Sequence, residues 1–441
     1  MKIPEKAPEW TKLNADEIAF SQELSECFKK ANRDYLYWDR FKYAAPDKAH
    51  AEGAWKLLRT FRALNMKMIP LKDKAGNFFK YWLPDCALEY LHEIDQDAGG
   101  FISTESPFVY SSEKKRYLMK SIAEEAIASS QIEGAVTTRK AAKEMFDSGR
   151  KPKDRSEQMI YNNYLTISRI KTLVDQPLTA ELLNSLQGSM THDTLDDQRH
   201  SGRFRIPEDE PIRVYDYEGN ILHDPPAPDR LEELIASLCK FSNEKEEEFI
   251  HPVVKAIILH FWLAYVHPFN DGNGRTARAL FYWYMLKNRY WLFEYMSISR
   301  VILKSRTQYY KSFLYSEVDE GDMTYFIVYH LRAISVAIKE LKRYIERKQS
   351  ELGYATQQLS GYPSLNYRQK DVLKKILQDM SLTFSMKAHM QRYDVVHQTA
   401  RTDLLELCEA GLLKKYKQGK AFFFAAADDV ENKLLLKDSY L

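Results

Sequence analysis

Cysteine is scarce: Cys27, Cys86, Cys239 and Cys408 lie far apart in a chain of 441 residues, with no Cys-x-x-Cys pair. That excludes a disulfide framework and a cysteine-based zinc site, and it suits a reducing cytoplasm. An excess of one charge is also missing, since 64 Lys and Arg face 62 Asp and Glu for a net charge of +2. Overall charge therefore names no partner. No apolar run is long and unbroken enough to span a membrane. The opening Met-Lys-Ile-Pro-Glu-Lys lacks the apolar core of a signal peptide. The expectation is a cytoplasmic protein with no membrane segment. What is present is an ordinary globular composition, 44% hydrophobic and 29% charged. The length suits roughly two to four domains, each with its own core.

The chain is organised around residues 267–278, His-Pro-Phe-Asn-Asp-Gly-Asn-Gly-Arg-Thr-Ala-Arg. Val253–Val266 before it is apolar on nearly every side apart from Lys255 and His260, which predicts a fully buried helix. Thr276–Asn288 after it predicts a second core helix. Pro268 ends the first, because a proline ring disfavours helical geometry at the residue before it. Gly272 and Gly274 allow a tight turn that leaves the free N–H groups of the second helix pointing outward, an anion site. Arg275 and Arg278 are three apart, so they share a face and can reach successive phosphates. Asp271 is the kind of oxygen ligand Mg²⁺ prefers when it also holds substrate phosphates. His267 is the one group in the stretch whose free pKa suits a general base near neutral pH. The plain alternative is a structural helix-loop-helix with a buried histidine and surface arginines. Base, metal ligand, anion cradle and two cations within twelve residues favour a phosphate-transfer site instead.

This stretch resembles the Fic family motif, His-Pro-Phe-x-Asp/Glu-Gly-Asn-Gly-Arg-x-x-Arg, at every defined position. The resemblance implies an all-α domain that transfers AMP from ATP to a hydroxyl side chain of a target protein, with ATP and Mg²⁺ required. In that reading His267 deprotonates the target hydroxyl, Asp271 holds Mg²⁺ and Phe269 anchors the loop. Asn270, Gly272, Asn273, Gly274 and Arg275 line the nucleotide, with Asn273, Gly274 and Arg275 on the α- and β-phosphates. Arg278 takes the γ-phosphate.

Upstream, Glu113–Glu133 is a strong helix former that ends Ser129-Ser130-Gln131-Ile132-Glu133-Gly134. Gly134 is a natural stop, but a carboxylate at a helix C-terminus opposes the dipole, so Glu133 calls for a partner elsewhere. An exposed glutamate of no consequence is the plain alternative. The segment matches the Fic inhibitory motif, Ser/Thr-x-x-x-Glu-Gly/Asn, through Ser129, Glu133 and Gly134. That resemblance implies that Glu133 pairs with Arg278 and occupies the γ-phosphate position, an autoinhibited state. Ser156–Asp175 and Thr179–His192 read as further helices of a domain covering 111–350. A hairpin at about 203–222, turning at Glu218-Gly219-Asn220, resembles the family's flap, which binds a target segment by strand addition. Ile212, Val214 and Tyr215 are its docking candidates, against the alternative of an ordinary surface hairpin. His251 and His260 read as capping or core histidines. From Leu331 onward apolar residues step by three and four, which suits a closing helix or a seam in a homodimer. Gln349–Ser364 reads as a linker.

Residues 1–110 read as a separate helical unit with Trp10, Trp38, Trp55 and Trp82 in its core. Ile18–Ala31 and Ala54–Leu64 have helical periodicity, and Met66–Leu83 predicts a hairpin turning at Lys74-Ala75-Gly76-Asn77. Residues 365–425 predict a winged helix, with helices at Arg368–Met380, Ser385–Arg392 and His397–Ala410 and a hairpin at Lys414–Ala425. Residues 361–424 hold eleven Lys and Arg against six Asp and Glu, a local net charge of +5. Lys414, Lys415, Lys417 and Lys420 on the wing suit phosphate contact. Gln398, Thr399 and Arg401 open the would-be recognition helix, where they would face base edges. Protein contact is the alternative use. The expectation is thus a mainly α, three-part protein: N-terminal helical unit, Fic core with a β-hairpin flap, and winged helix. Its function is AMP transfer held off by Glu133. A DNA-binding regulator whose Fic domain senses nucleotide, and an enzyme that removes AMP, are the alternatives.

Overall fold

The computed structural model describes residues 3–12, 21–99, 111–215, 218–360, 364–378, 380, 382–418, 421–430 and 433. It is mainly helical and divides into two compact units, Met1–Lys339 and Glu340–Leu441.

The first unit opens with α1 (Gln22–Arg33), α2 (Trp38–Ala44), α3 (Ala51–Leu64), an antiparallel pair β1 (Lys67–Lys72) and β2 (Phe78–Tyr81), and α4 (Asp85–Ala98). Asp73 builds the hairpin turn by accepting the Ala75 and Asn77 N–H groups, and Gly76 supplies the positive φ. This part does not stand alone. Phe79 of β2 packs edge-on against Phe261, Trp262 and Tyr265, and Arg59 of α3 pairs with Asp319. Those long-range contacts place α3 and the β1–β2 hairpin in the same core as the motif helices. The part of Ile18–Ala31 before residue 21 lies outside the described residues.

Next come α5 (Ser111–Ile132), α6 (Arg139–Ser148), α7 (Arg155–Ile170), α8 (Ala180–Thr191), the short pair β3 (Val214–Tyr215) and β4 (Ile221–His223), and α9 (Leu231–Asn243). They surround α10 (Pro252–Val266) and α11 (Asn273–Lys287). Both central helices are buried along almost their whole length, including polar Lys255 and His260 on α10 and Asn273, Arg275 and Arg278 on α11. Lys255, the charge on α10, donates to the Glu244 carbonyl and lies over the Phe241 ring. His251 caps α10 by accepting the Val253 N–H, and buried His260 meets the Tyr309 hydroxyl at 3.0 Å. The second core helix begins three residues earlier than its apolar run, because Gly272 (φ 84°) turns the chain directly into it.

α12 (Ile298–Lys304), α13 (Arg306–Val318) and α14 (Thr324–Ser360) follow. Leu331, Ile334 and Ile338 are buried, so this part of the apolar stripe closes the core. α14 continues through most of Gln349–Ser364, where a linker is expected. Gly353 lowers helix propensity by about 1 kcal/mol but does not end a helix that is otherwise well populated by helix formers.

The second unit contains α15 (Tyr367–Gln378), β5 (Thr383–Ser385), α16 (Met386–Tyr393), α17 (His397–Glu409), β6 (Leu413–Gln418) and β7 (Ala421–Ala426). The strands form an antiparallel sheet in the order β5-β7-β6. Val372, Leu373, Ile376, Leu404, Leu407 and Phe424 make its core. Three helices, a hairpin of β6 and β7, and the added strand β5 make up this unit. Inside, Asp403 is held by Arg368 and by His389 at 2.9 Å.

Candidate active site

The site is the connection between α10 and α11. His267 ends α10 in the left-handed region (φ 49°), a conformation that is uncommon for any residue but glycine. Asn273 cinches the turn that follows: its side-chain oxygen accepts the Phe269 N–H at 2.9 Å and its amide donates to the Phe269 carbonyl at 2.7 Å. Phe269 is fully buried beneath it, against Phe204. The Asn273 side chain is thus used inside the loop, and only its backbone N–H, at the start of α11, is placed for a ligand.

His267 Nδ1 lies 3.1 Å from the Ala264 carbonyl, which can only accept, so Nδ1 carries the proton and Nε2 keeps its lone pair. Burial pushes the imidazole down to about 4, with the Ala264 bond and Glu133 only partly opposing it. At neutral pH the group is therefore an unprotonated base, held further from neutrality than its free pKa implies.

The cations sit one turn on. Arg275 is completely buried; Nη1 donates to the Met190 carbonyl at 3.0 Å and Nη2 lies 3.5 Å from Asp271, yet Nε and Nη2 make no hydrogen bond among the described residues. Arg278 donates from Nε to the Ser129 hydroxyl at 2.8 Å and from Nη2 to the Ser129 carbonyl, while its Nη1 has no hydrogen bond among the described residues. The buried Asn270 side-chain oxygen is likewise unbonded. Such orphaned polar atoms are costly unless a ligand completes them.

A carboxylate already stands in this cradle. Glu133 Oε1 is 2.9 Å from Arg278 Nη2. The same carboxylate lies so close over Gly274 that a Cβ there would coincide with it. Burial alone would raise the Glu133 carboxyl, but Arg278, with Arg275 and His267 behind it, outweighs that and holds it below the ordinary value. α5 ends one residue before Glu133, which is its C-cap. Gly134 (φ 96°) closes the helix, its N–H bonding to Gln131 and that of Ala135 to Ser130, a Schellman pattern. Arg306 donates to the Ile132 carbonyl at 2.7 Å and the Tyr310 hydroxyl approaches the same oxygen. Further back, Glu125 accepts from Tyr282, Ser297 and Ser299, fixing α5 on α11 and on the start of α12.

Asp271 keeps a half-exposed carboxylate at the loop surface, beside the unbonded Arg275 nitrogens. Among the described residues no three His, Cys, Asp or Glu cluster as a self-sufficient metal site. One carboxylate beside an anion cradle fits Mg²⁺, which takes one or two protein oxygens and completes its shell with phosphates and water.

Gln187 and Arg205 belong to the site without any motif to announce them. Gln187 donates to the Asp271 carbonyl at 3.0 Å and accepts the Gly202 N–H at 2.6 Å. Arg205 donates to the carbonyls of His267, Val266 and Pro226. Among the described residues of the flap, β3 and β4 pair through Val214 with His223 and Tyr215 with Ile221. Ile212 precedes β3 and Tyr215 is exposed. In the second unit, Gln398 and Arg401 are exposed on α17 and Thr399 is half-buried. Lys414 is engaged by Asp428, Lys415 lies over the Phe422 ring at 4.1 Å, and Lys417 is exposed. Lys420 lies outside the described residues.

Comparison with known proteins agrees with the loop geometry. Residues 177–285 match the Fic/DOC family. Protein adenylyltransferase Fic of Nematostella vectensis is 47% identical over 58 residues, 13% of this chain and 14% of that protein. Protein adenylyltransferase fic-1 of Caenorhabditis briggsae is 30% identical over 155 residues, 34% of this chain and 27% of that protein. The chain thus spans under a third of these curated relatives. A Fic family protein from Desulfovibrio desulfuricans superposes with a TM-score of 0.51 over 78% of this chain and 95% of its own, at 19% identity. A Fic-1 fragment from C. elegans gives 0.50 over 75% and 86%, at 17% identity. Likeness at these identities shows the fold.

Proposed function

We propose that this chain, which carries a Fic/DOC family domain over residues 177–285, transfers AMP from ATP to a hydroxyl side chain of a target protein and is held off by Glu133. The observation that carries the reading is the cradle over Gly274, where buried arginine nitrogens make no hydrogen bond among the described residues and a carboxylate of the same chain pairs with Arg278. Phosphates have the charge and the acceptor oxygens to complete those donors. In transfer, the target oxygen bonds to the α-phosphorus, the bond from that phosphorus to the β-bridging oxygen breaks, and pyrophosphate leaves. His267 Nε2 takes the hydroxyl proton. Arg275 and the first N–H groups of α11 hold the α- and β-phosphates, with Asn270 at the edge. Asp271 would hold Mg²⁺, which when bound offsets charge on the phosphates. No helix among the described residues is long and apolar enough to cross a membrane, and four unpaired cysteines fit a cytoplasmic setting.

The Glu133 contact accounts for control. With Arg278 engaged, a γ-phosphate finds its cation neutralised, and ATP seats with its α-phosphate out of line. Displacements of that kind cost ~10²-fold in rate. Labelled AMP incorporation, including self-modification, is expected to rise in Glu133→Gly and to fall back in Glu133→Gly with Arg278→Ala. Equal incorporation in the parent and Glu133→Gly would remove the inhibitory role. A fall in Glu133→Gly would favour AMP removal, with Glu133 orienting water.

A second reading concerns the winged helix. The exposed face of α17 presents His397, Gln398, Arg401 and Thr402, while its Asp403 is buried and paired. Lys415 and Lys417 with the exposed rings of Tyr416 and Phe422 give the wing cations and apolar faces together. Duplex DNA fits that surface. Mobility shifts at low salt test it: neutralising Lys415, Lys417 and Lys420 should reduce the salt slope by roughly one unit for each DNA phosphate left without its lysine. No shift by the parent leaves protein contact as the use of this unit.

A further inference from the structure

We propose that Arg205 is a positioning residue: it locks both ends of the flap to the His267 end of the loop, so that a segment docked on the flap lies in register with the base. The proposal rests on the transfer reading given above for the same site.

The geometry is that of a clamp. The flap leaves the core at Arg205 and returns at Pro226. Arg205 is 6% exposed, and its guanidinium donates from Nε to the His267 carbonyl at 2.8 Å and from Nη2 to the carbonyls of Val266, at 3.3 Å, and Pro226. Its backbone N–H donates to the Pro268 carbonyl at 2.9 Å. One residue thus joins the flap's exit, its return and three successive positions of the loop entrance. Among the described residues no carboxylate is within ion-pair distance of it, and carbonyl dipoles balance its charge. A planar fork with several donors can serve carbonyls in different directions at once, which a lysine ammonium on a flexible stem does not reproduce. Gln187, bridging Gly202 to Asp271, ties the same segment to the far end of the loop.

The clamp is aimed at the base and away from the nucleotide. The His267 carbonyl that it holds belongs to a residue in the left-handed region, where an unsupported backbone would relax. Arg275 and Arg278 are anchored separately, by the carbonyls of Met190 and Ser129. Removing Arg205 should therefore leave nucleotide binding intact and misplace the base relative to the flap. The charged and titratable groups that bear on the imidazole are Glu133, His223 and Arg205.

The test uses the full chain in the Glu133→Gly background, with Arg205→Met and Arg205→Lys. ATP affinity by calorimetry should stay within about twofold, while kcat for transfer to a protein target falls by about 10²-fold. In carbon-13-labelled histidine spectra the His267 titration should move up from its depressed position in both variants, because the imidazole loses its fixed buried setting. A folded variant with unchanged kcat and unchanged His267 titration overturns the proposal, as does an equal loss of ATP affinity. If Arg205→Met does not fold, Arg205→Lys carries the same comparison. If the Glu133→Gly background transfers no AMP, the transfer reading fails, and the His267 titration still decides whether Arg205 places the base.

Discussion

Two helices carry almost the same four residues and use them in opposite ways. α3 holds Arg59-Thr-Phe-Arg62 and α11 holds Arg275-Thr-Ala-Arg278, each pair three apart and each buried. On α3 every guanidinium nitrogen has a partner. Arg59 donates to the Asp319 carboxylate and carbonyl and to the Met66 sulfur; Arg62 donates to Asn32 and to the carbonyls of Leu36 and Ala31. On α11, among the described residues, Arg275 leaves two nitrogens without a hydrogen bond and Arg278 leaves one. Burial and charge are alike, so neither marks function here. The difference lies in completeness. A buried cation finished by its own chain holds the fold, and one left unfinished keeps donors that a ligand could complete.

Mutation should break this comparison most sharply through stability. Arg59→Met leaves Asp319 buried without its cation, and losing one partner of a buried pair costs about 3–5 kcal/mol. Arg275→Met, in nucleotide-free protein, should stay within about 1 kcal/mol of the parent, because it removes little that is bonded. Denaturant midpoints measure both. If the two variants lose equal stability, incompleteness is not what separates the helices.

His267→Ala sharpens the chemical side. It takes away the base and leaves the cradle, so transfer should fall by ~10²–10⁴-fold while ATP still binds. Calorimetry beside incorporation assays separates the two, and undiminished transfer would refute the mechanism.

The comparison also shows what the sequence could reveal. The loop and its two helices were legible because a histidine, a carboxylate, two glycines and two arginines fall within twelve residues between two apolar runs. Glu133 was legible as a charge placed against its helix dipole. Arg205 and Gln187 were not, because their partners are main-chain carbonyls and amides far along the chain, which no spacing records. Helical periodicity is a local signal; it outlined α10, α15 and α17 closely, but it did not outline α2, α4 or α6. Gln349–Ser364 looked like a linker because composition does not report a helix already under way.

Acidity gives a smaller effect, with a sign fixed by the two groups facing each other in the site. The folded His267 titrates at about 4 against about 6.5 free. The base therefore stays neutral through the range where an ordinary histidine protonates. Transfer by Glu133→Gly should stay level from pH 8 to about 5 and fall only near the lowered value. Glu133 has a lowered pKa in the fold, so its grip on Arg278 is complete above the ordinary glutamate value of about 4.3 and is lost as pH falls through the lowered one. Neutral pH cannot release it. A rate profile with its acid limb near 6.5 would contradict the buried setting of the base.

The smallest effect tests how Glu133 is held. Gly134 closes α5 at φ 96° and Gly149 closes α6 at φ 64°, and a Cβ at either would meet nothing within 4 Å. Alanine at each should therefore cost backbone strain alone, about 1–2 kcal/mol. Only at 134 does the strained turn set the position of a side chain in the cradle, since Glu133 is the residue between the helix end and that glycine. Gly134→Ala should lower the thermal midpoint and raise AMP incorporation as the carboxylate drifts from Arg278. Gly149→Ala should lower the midpoint by a similar amount and leave incorporation as it was. Matching incorporation in the two variants would mean that Arg306 and Tyr310, gripping the Ile132 carbonyl, hold Glu133 in place without help from the turn.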